Sequence, residues 1–197
     1  MTQTRIREEK VATGPNYFVR LNTTWHERAL WVYGAVVLLH WLEHLAQAYQ
    51  IWILNMARPD SLGAIGAIFP WVVESETMHF GFAVFMLAGL VVLAPGFSGT
   101  AAKWWLVSFA IQSWHFVEHS LLQGQVGIGS NLFSADIPMS VVQLWIPRAE
   151  LHLLYNLVVF IPMVVAMVLH ARPPRTAGHD ACSCAVTPVP KTASDAM

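Results

Sequence analysis

Long apolar runs, interrupted at fixed intervals by a few polar residues, set the organisation of this 197-residue chain. A polar segment carrying Arg5, Arg7, Lys10 and Arg20 leads to a first apolar run over about 29–54. Thr23 or Thr24 is a candidate helix cap there, with Glu27 at the capping-box position relative to Thr24. The run exceeds the ~20 residues that a helix needs to cross a bilayer. Residues 55–70 form a connection with Arg58-Pro59-Asp60 and several glycines. Leu62, Ile65, Ile68 and Phe69 predict an amphipathic piece lying on the bilayer surface.

A second span is predicted over about 76–94, stopped by Pro95-Gly96. A third covers about 103–122, and a second long connection follows over 126–146. The fourth runs over about 147–170, with Pro162 as a candidate kink. The Pro-, Ala- and Thr-rich remainder predicts a disordered tail. The expected fold class is therefore all-α: an integral membrane four-helix bundle. It comprises an N-terminal segment over 1–24, a four-span domain over 25–171 and a tail over 172–197.

Composition agrees. Hydrophobic residues make up 55% of the chain and charged ones 12%. A soluble domain carries about 25% charged residues. Mean hydropathy is +0.48. The net charge of −1 offers no basic surface, and no nucleic-acid module is present, so nucleic acid is not an expected partner. Cys182 and Cys184 lie too close in sequence for a useful disulfide, so nothing indicates an oxidising compartment. No small-residue cleavage site follows a short apolar core, and no signal peptide is expected. Lys and Arg concentrate in the N-terminal segment, at Lys103 and at Arg172 and Arg175, which predicts cytoplasmic termini.

The polar interruptions repeat. His40-Trp41-Leu42-Glu43-His44 recurs as His115-Phe116-Val117-Glu118-His119, with both histidines and the glutamate displaced by one common offset. Arg28 and Lys103, and Gln50 and Gln125, share that offset. A lone histidine opens the next span of each half, His79 and His152, at a separation only slightly shorter. The pattern predicts two copies of one helix pair, about 25–96 and 100–171, related by an axis along the membrane normal.

Residues i, i+3 and i+4 share one helix face, so His40, Glu43 and His44 project together, as do His115, Glu118 and His119. Two imidazoles one turn apart can grip a single ion. A buried carboxylate costs about 2.5–3.5 kcal/mol at the centre of a membrane helix, so two of them predict a paired or metallated site. The expected metal ligands are His40, Glu43, His44, His79, His115, Glu118, His119 and His152, and the set suits two ions better than one. Glu43 and Glu118 are expected to bridge, ligate or accept protons. Mixed imidazole and carboxylate ligands favour iron, with zinc or copper as alternatives.

The function expected is an oxidoreductase acting on a small or lipophilic substrate in the bilayer, served by a redox partner. A transition-metal transport or handling protein is the alternative. It needs a polar route onward, and the stretches 84–93 and 158–169 show none. A haem b electron carrier is a third reading, with His79 or His152 as an axial ligand. A structural subunit glued by its polar layer is a fourth. His179, Cys182 and Cys184 form a weaker candidate metal cluster in the tail, Asn156 a candidate for tuning a ligand, and His26 and His170 stand outside the site.

Overall fold

The computed structural model describes residues 16–172, and the whole of that range is helices and connections, with no strand. The elements are α1 (Tyr17–Leu21), α2 (His26–Trp52), α3 (Gly63–Gly66), α4 (Pro70–Glu74), α5 (Glu76–Leu93), α6 (Gly99–Ile128) and α7 (Arg148–Ala171). Short 3-10 turns occupy parts of the connections. His179, Cys182, Cys184 and the expected disordered tail lie outside the described residues.

Local chemistry accounts for most boundaries. Asn16 Oδ1 accepts from the Val19 N–H to cap α1, and Ser75 Oγ accepts from the Met78 N–H to cap α5. Pro95 sits in the turn that closes α5, and Gly129, at φ 65°, ends α6 in the left-handed conformation that lacks a Cβ penalty. The expected threonine cap on α2 does not form. The cap position is Trp25, and Thr23 Oγ1 instead donates to Val19 O, tying it back to α1. The surface piece expected over 55–70 is a 3-10 turn over Arg58–Asp60 followed by α3, with α4 beginning at its last residue, Pro70. Pro162 lies inside a continuous α7, on its buried face.

Three helices are long and apolar enough to cross a membrane: α2, α5 with its closing turn, and α7. At about 1.5 Å per residue, the 27 residues of α2 reach roughly 40 Å, beyond the ~30 Å hydrocarbon core. The third predicted span corresponds to α6, which is longer than expected at 30 residues but is not among those three. Its polar residues explain why. Ser108, Gln112, His115 and His119 follow a 4-3-4 spacing and form one inward stripe, while Leu106, Val107, Trp114 and Val117 face outward. Polar residues inside and large apolar ones outside reverse the arrangement of a water-soluble helix.

The long helices lie side by side, with α6 packed most extensively on α7 and on α5, and α2 on α7. They enclose two layers. At one end Leu30, Tyr33, Val37, Met86, Leu90, Trp105, Val159 and Met163 form an apolar core. Side-chain donors there reach across to the backbone of neighbouring helices. Tyr33 Oη donates to Met86 O at 2.7 Å, Trp105 Nε1 to Leu90 O at 2.8 Å and Ser108 Oγ to Val159 O at 2.9 Å. At the far tip of this end His26 and His170 meet, with ring centroids 4.7 Å apart, against Phe97. The other layer holds the polar motifs.

Two α5 glycines separate packing from propensity. A Cβ on Gly89 would come within 2.2 Å of the Tyr33 ring, whereas one on Gly81 meets nothing within 4 Å. Gly89→Ala is therefore expected to displace Tyr33 and cost about 1–3 kcal/mol, lowering the thermal unfolding midpoint in detergent. Gly81→Ala is expected to leave it unchanged or raise it, since alanine favours a helix by up to about 1 kcal/mol.

Candidate metal centre

The C-terminal halves of α2 and α6 and the first turns of α5 and α7 bring six imidazoles into one layer. His40 and His44 come from α2, His115 and His119 from α6, His79 from α5 and His152 from α7. His44 and His40 face one another through Nε2 at 3.2 Å, and His119 and His115 do so at the same distance. His152 Nε2 lies 3.3 Å from His119 Nε2. Nitrogen atoms of His115, His119 and His152 all fall within 4.8 Å of one another, a triad able to hold a metal ion. His79 joins the layer, its ring centroid 5.6 Å from that of His152 and 6.0 Å from that of His119. His40, His79, His115 and His119 share the wall of a void of about 10 Å³, close to the space of a single water-sized sphere.

The orientation of the rings carries chemical information. His79 Nδ1–H donates to Ser75 O at 3.0 Å, and His152 Nδ1–H to Arg148 O at 2.8 Å. A carbonyl only accepts, so the proton sits on Nδ1 and the lone pair on Nε2. His44 Nδ1 is held by Gln47 Oε1 at 2.7 Å, again leaving Nε2 toward the layer. This is how ligating histidines are oriented: the outer nitrogen is hydrogen-bonded and the inner one is presented. Two ligands at ~2.0–2.1 Å from a tetrahedral ion are about 3.3 Å apart, which matches the three Nε2–Nε2 spacings.

The two glutamates are placed differently. Glu43 accepts from the backbone N–H groups of Ala64, Ile65 and Gly66 at 3.1, 2.8 and 3.0 Å, so it anchors α3. Glu118 Oε1 accepts from Ser140 Oγ at 3.1 Å, while its Oε2 is buried without a hydrogen bond, 3.8 Å from His115 Nδ1. Nδ1 of His115 and of His119 are likewise buried without a hydrogen bond. Of the expected ligand set, then, the six histidines converge; Glu118 borders them, and Glu43 is engaged with the connection.

Residues at the same spacing from the two His-x-x-Glu-His motifs make similar contacts. Gln50 clasps both the N–H and the C=O of Gly63, at 2.7 and 3.1 Å. Its counterpart Gln125 clasps those of Met139, at 3.2 and 2.9 Å, at the corresponding place in the second connection. Glu43 then takes Ala64, the residue after Gly63, and Glu118 takes Ser140, the residue after Met139. Phe82 stacks on His40 with centroids 3.7 Å apart. Tyr155, which follows His152 at the interval by which Phe82 follows His79, stacks on His115 at 4.5 Å.

Ion pairs brace the rim. Arg148 pairs with Glu76, joining α7 to α5, and Arg58 Nε donates to Glu150 at 3.0 Å, joining the first connection to α7. Sequence reasoning missed Gln47, Ser140 and the stacking rings. Gln47 had a signal, its i+3 spacing from His44; the others become neighbours only through the folded connections and the packed helices. Asn156 donates to His152 O at 2.8 Å and lines the small void beside the imidazoles.

Compared with known protein families, curated proteins and solved structures, the chain matches none.

Removal of the Glu43 carboxylate leaves three N–H groups of α3 without their acceptor. Charge-assisted bonds are each worth about 1.5–3 kcal/mol. Glu43→Ala is therefore expected to speed amide exchange at residues 64–66 roughly tenfold or more, with the amides of 139 and 140 unaffected, as hydrogen–deuterium exchange would record.

Proposed function

We propose that the chain is a membrane-embedded oxidoreductase with a dinuclear, His/Glu-ligated metal centre acting on a small or lipophilic substrate. The single observation that carries this is the set of Nε2–Nε2 spacings of 3.2–3.3 Å, with His44 and His152 held through Nδ1 so that Nε2 is presented. His119 Nε2 faces the Nε2 atoms of both His115 and His152, and that of His152 presents a lone pair. A single Nε2–H on His119 serves one of these neighbours, whereas a cation accepts lone pairs from all three rings. One ion belongs with the triad His115, His119 and His152 beside Glu118; the second is assigned to His40, His44 and His79, which line one cavity. Glu118, whose Oε2 accepts no hydrogen bond, is the carboxylate that ligates or accepts a proton. Glu43 acts chiefly by holding α3 against the site.

Iron is the favoured metal, because imidazole with carboxylate suits it better than Cu(I), and a dinuclear iron pair can change oxidation state, which zinc cannot. The transport reading is weaker: the apolar core beyond the histidines offers a cation no polar path. Haem is weaker too, since imidazoles this close together leave no slot for a porphyrin between them.

The architecture proposed with this function is a four-span bundle of two duplicated hairpins, with α6 as a span and both termini in the cytoplasm. The inward polar stripe and outward apolar face of α6 argue for its lipid contact, and the paired Gln, Glu and ring-stacking contacts argue for the duplication.

Elemental analysis of protein purified at pH 8 is expected to give two equivalents of metal, without a Soret band. His119→Ala, which removes the ring central to the triad, should lose at least one equivalent, and His44→Ala with His119→Ala nearly all. Imidazole must be neutral to ligate, so metal is expected to be retained at pH 8 and released progressively as acidification protonates the rings. Wild-type protein without metal, or with haem, overturns the proposal.

A further inference from the structure

The two halves of the histidine layer carry the same imidazoles but differ in what surrounds them. Around His115 the second half is closed by Tyr155, whose hydroxyl accepts from Trp114 Nε1 at 2.8 Å. In the first half the equivalent residue is Phe82, and beside it lies a cavity of about 320 Å³ that reaches His40, His44 and His79. Its position follows from packing, since α2 and α5 meet far less extensively than α6 and α7 do.

Most of the wall is apolar: Ile65 of α3, Val72 and Val73 of α4, and Gly81 and Phe85 of α5. Ile65, Gly81 and Phe85 are exposed, on the face that meets lipid in the proposed topology. The charged residue in the wall is Glu43, already occupied by three backbone N–H groups. No cation in the wall awaits a carboxylate or phosphate, so the cavity suits a chain rather than a headgroup. The space beside Gly81 is open, since a Cβ there would meet nothing within 4 Å, so a large side chain at this position has room to extend across the mouth.

We infer that this cavity admits an unbranched alkyl chain laterally from the bilayer and delivers it to the imidazoles of the first half. The substrate class is then an acyl or alkyl lipophile; this rests on the metal-centre reading above. At the ~30 Å³ that one water-sized group occupies in a liquid, the volume takes on the order of ten chain carbons. Moving a chain from lipid into an apolar cavity gains little, because lipid tails are as apolar as the wall. Occupancy is therefore governed by shape and by concentration in the membrane.

The test uses the full chain in phosphatidylcholine nanodiscs with a twelve-carbon alcohol carrying a mid-chain diazirine, photolysed and mapped by mass spectrometry. Adducts are expected to concentrate on residues 65–85 and to fall about tenfold in Gly81→Trp, and by a smaller factor in Gly81→Leu should the larger side chain prevent folding. Excess unlabelled dodecanol is expected to suppress them. Adducts spread evenly over the outward residues of α6, or cavity adducts unchanged by filling at Gly81, overturn the inference. Metal is measured on the same samples. Metal without cavity labelling overturns the inference alone; cavity labelling that responds to Gly81 in metal-free wild type overturns the centre and leaves the cavity standing.

Discussion

The structure depends on one constraint: polar side chains on helices whose outer faces are apolar have to find one another inside. A carboxylate or an imidazole has no water to turn to among hydrocarbon chains, and its desolvation is repaid only by a partner. Six histidines therefore fix how the long helices face each other at that end of the molecule, while the two glutamates hold the connections against it. The His40–His44 and His115–His119 pairs set the inward faces of α2 and α6, and His79 and His152 set the rotation of α5 and α7.

The connections are part of the same solution. Gln50 and Gln125 each satisfy a peptide group of the loop that follows, and Glu43 and Glu118 take the next residue along. Non-helical backbone near a membrane is tolerated where protein groups satisfy it. The loops are thereby folded onto the histidine layer, where α3 and α4 form one wall of the cavity beside it. At the opposite end Leu90, Met163 and Val37 pack as an apolar core, and Tyr33, Trp105 and Ser108 donate to backbone carbonyls of neighbouring helices.

The surroundings of the two His-x-x-Glu-His motifs differ in a few residues. Phe82 against Tyr155 changes a purely apolar lid into one with a hydroxyl, and three backbone N–H donors on Glu43 against one serine hydroxyl on Glu118 change how much of each carboxylate stays available.

Helix positions, the length and apolarity of the three helices able to cross a membrane and the identity of the clustered histidines were legible in the sequence, because each is encoded locally. Apolar run length sets a span, and i, i+3, i+4 spacing sets a face. The apolarity of α6 was harder to judge, since its inward stripe of Ser108, Gln112 and His119 dilutes a helix whose outer face is apolar. Which nitrogen of His44, His79 and His152 is presented is also local, set by Gln47 and by the carbonyls of Ser75 and Arg148 three or four residues away. The fate of Glu43 was decided by tertiary structure alone: bound to α3, it could not be told from that of Glu118, because both occupy the same place in the same motif and differ only in what the following loop presents. Spacing along a helix states which side chains share a face; only packing between helices states which atoms meet.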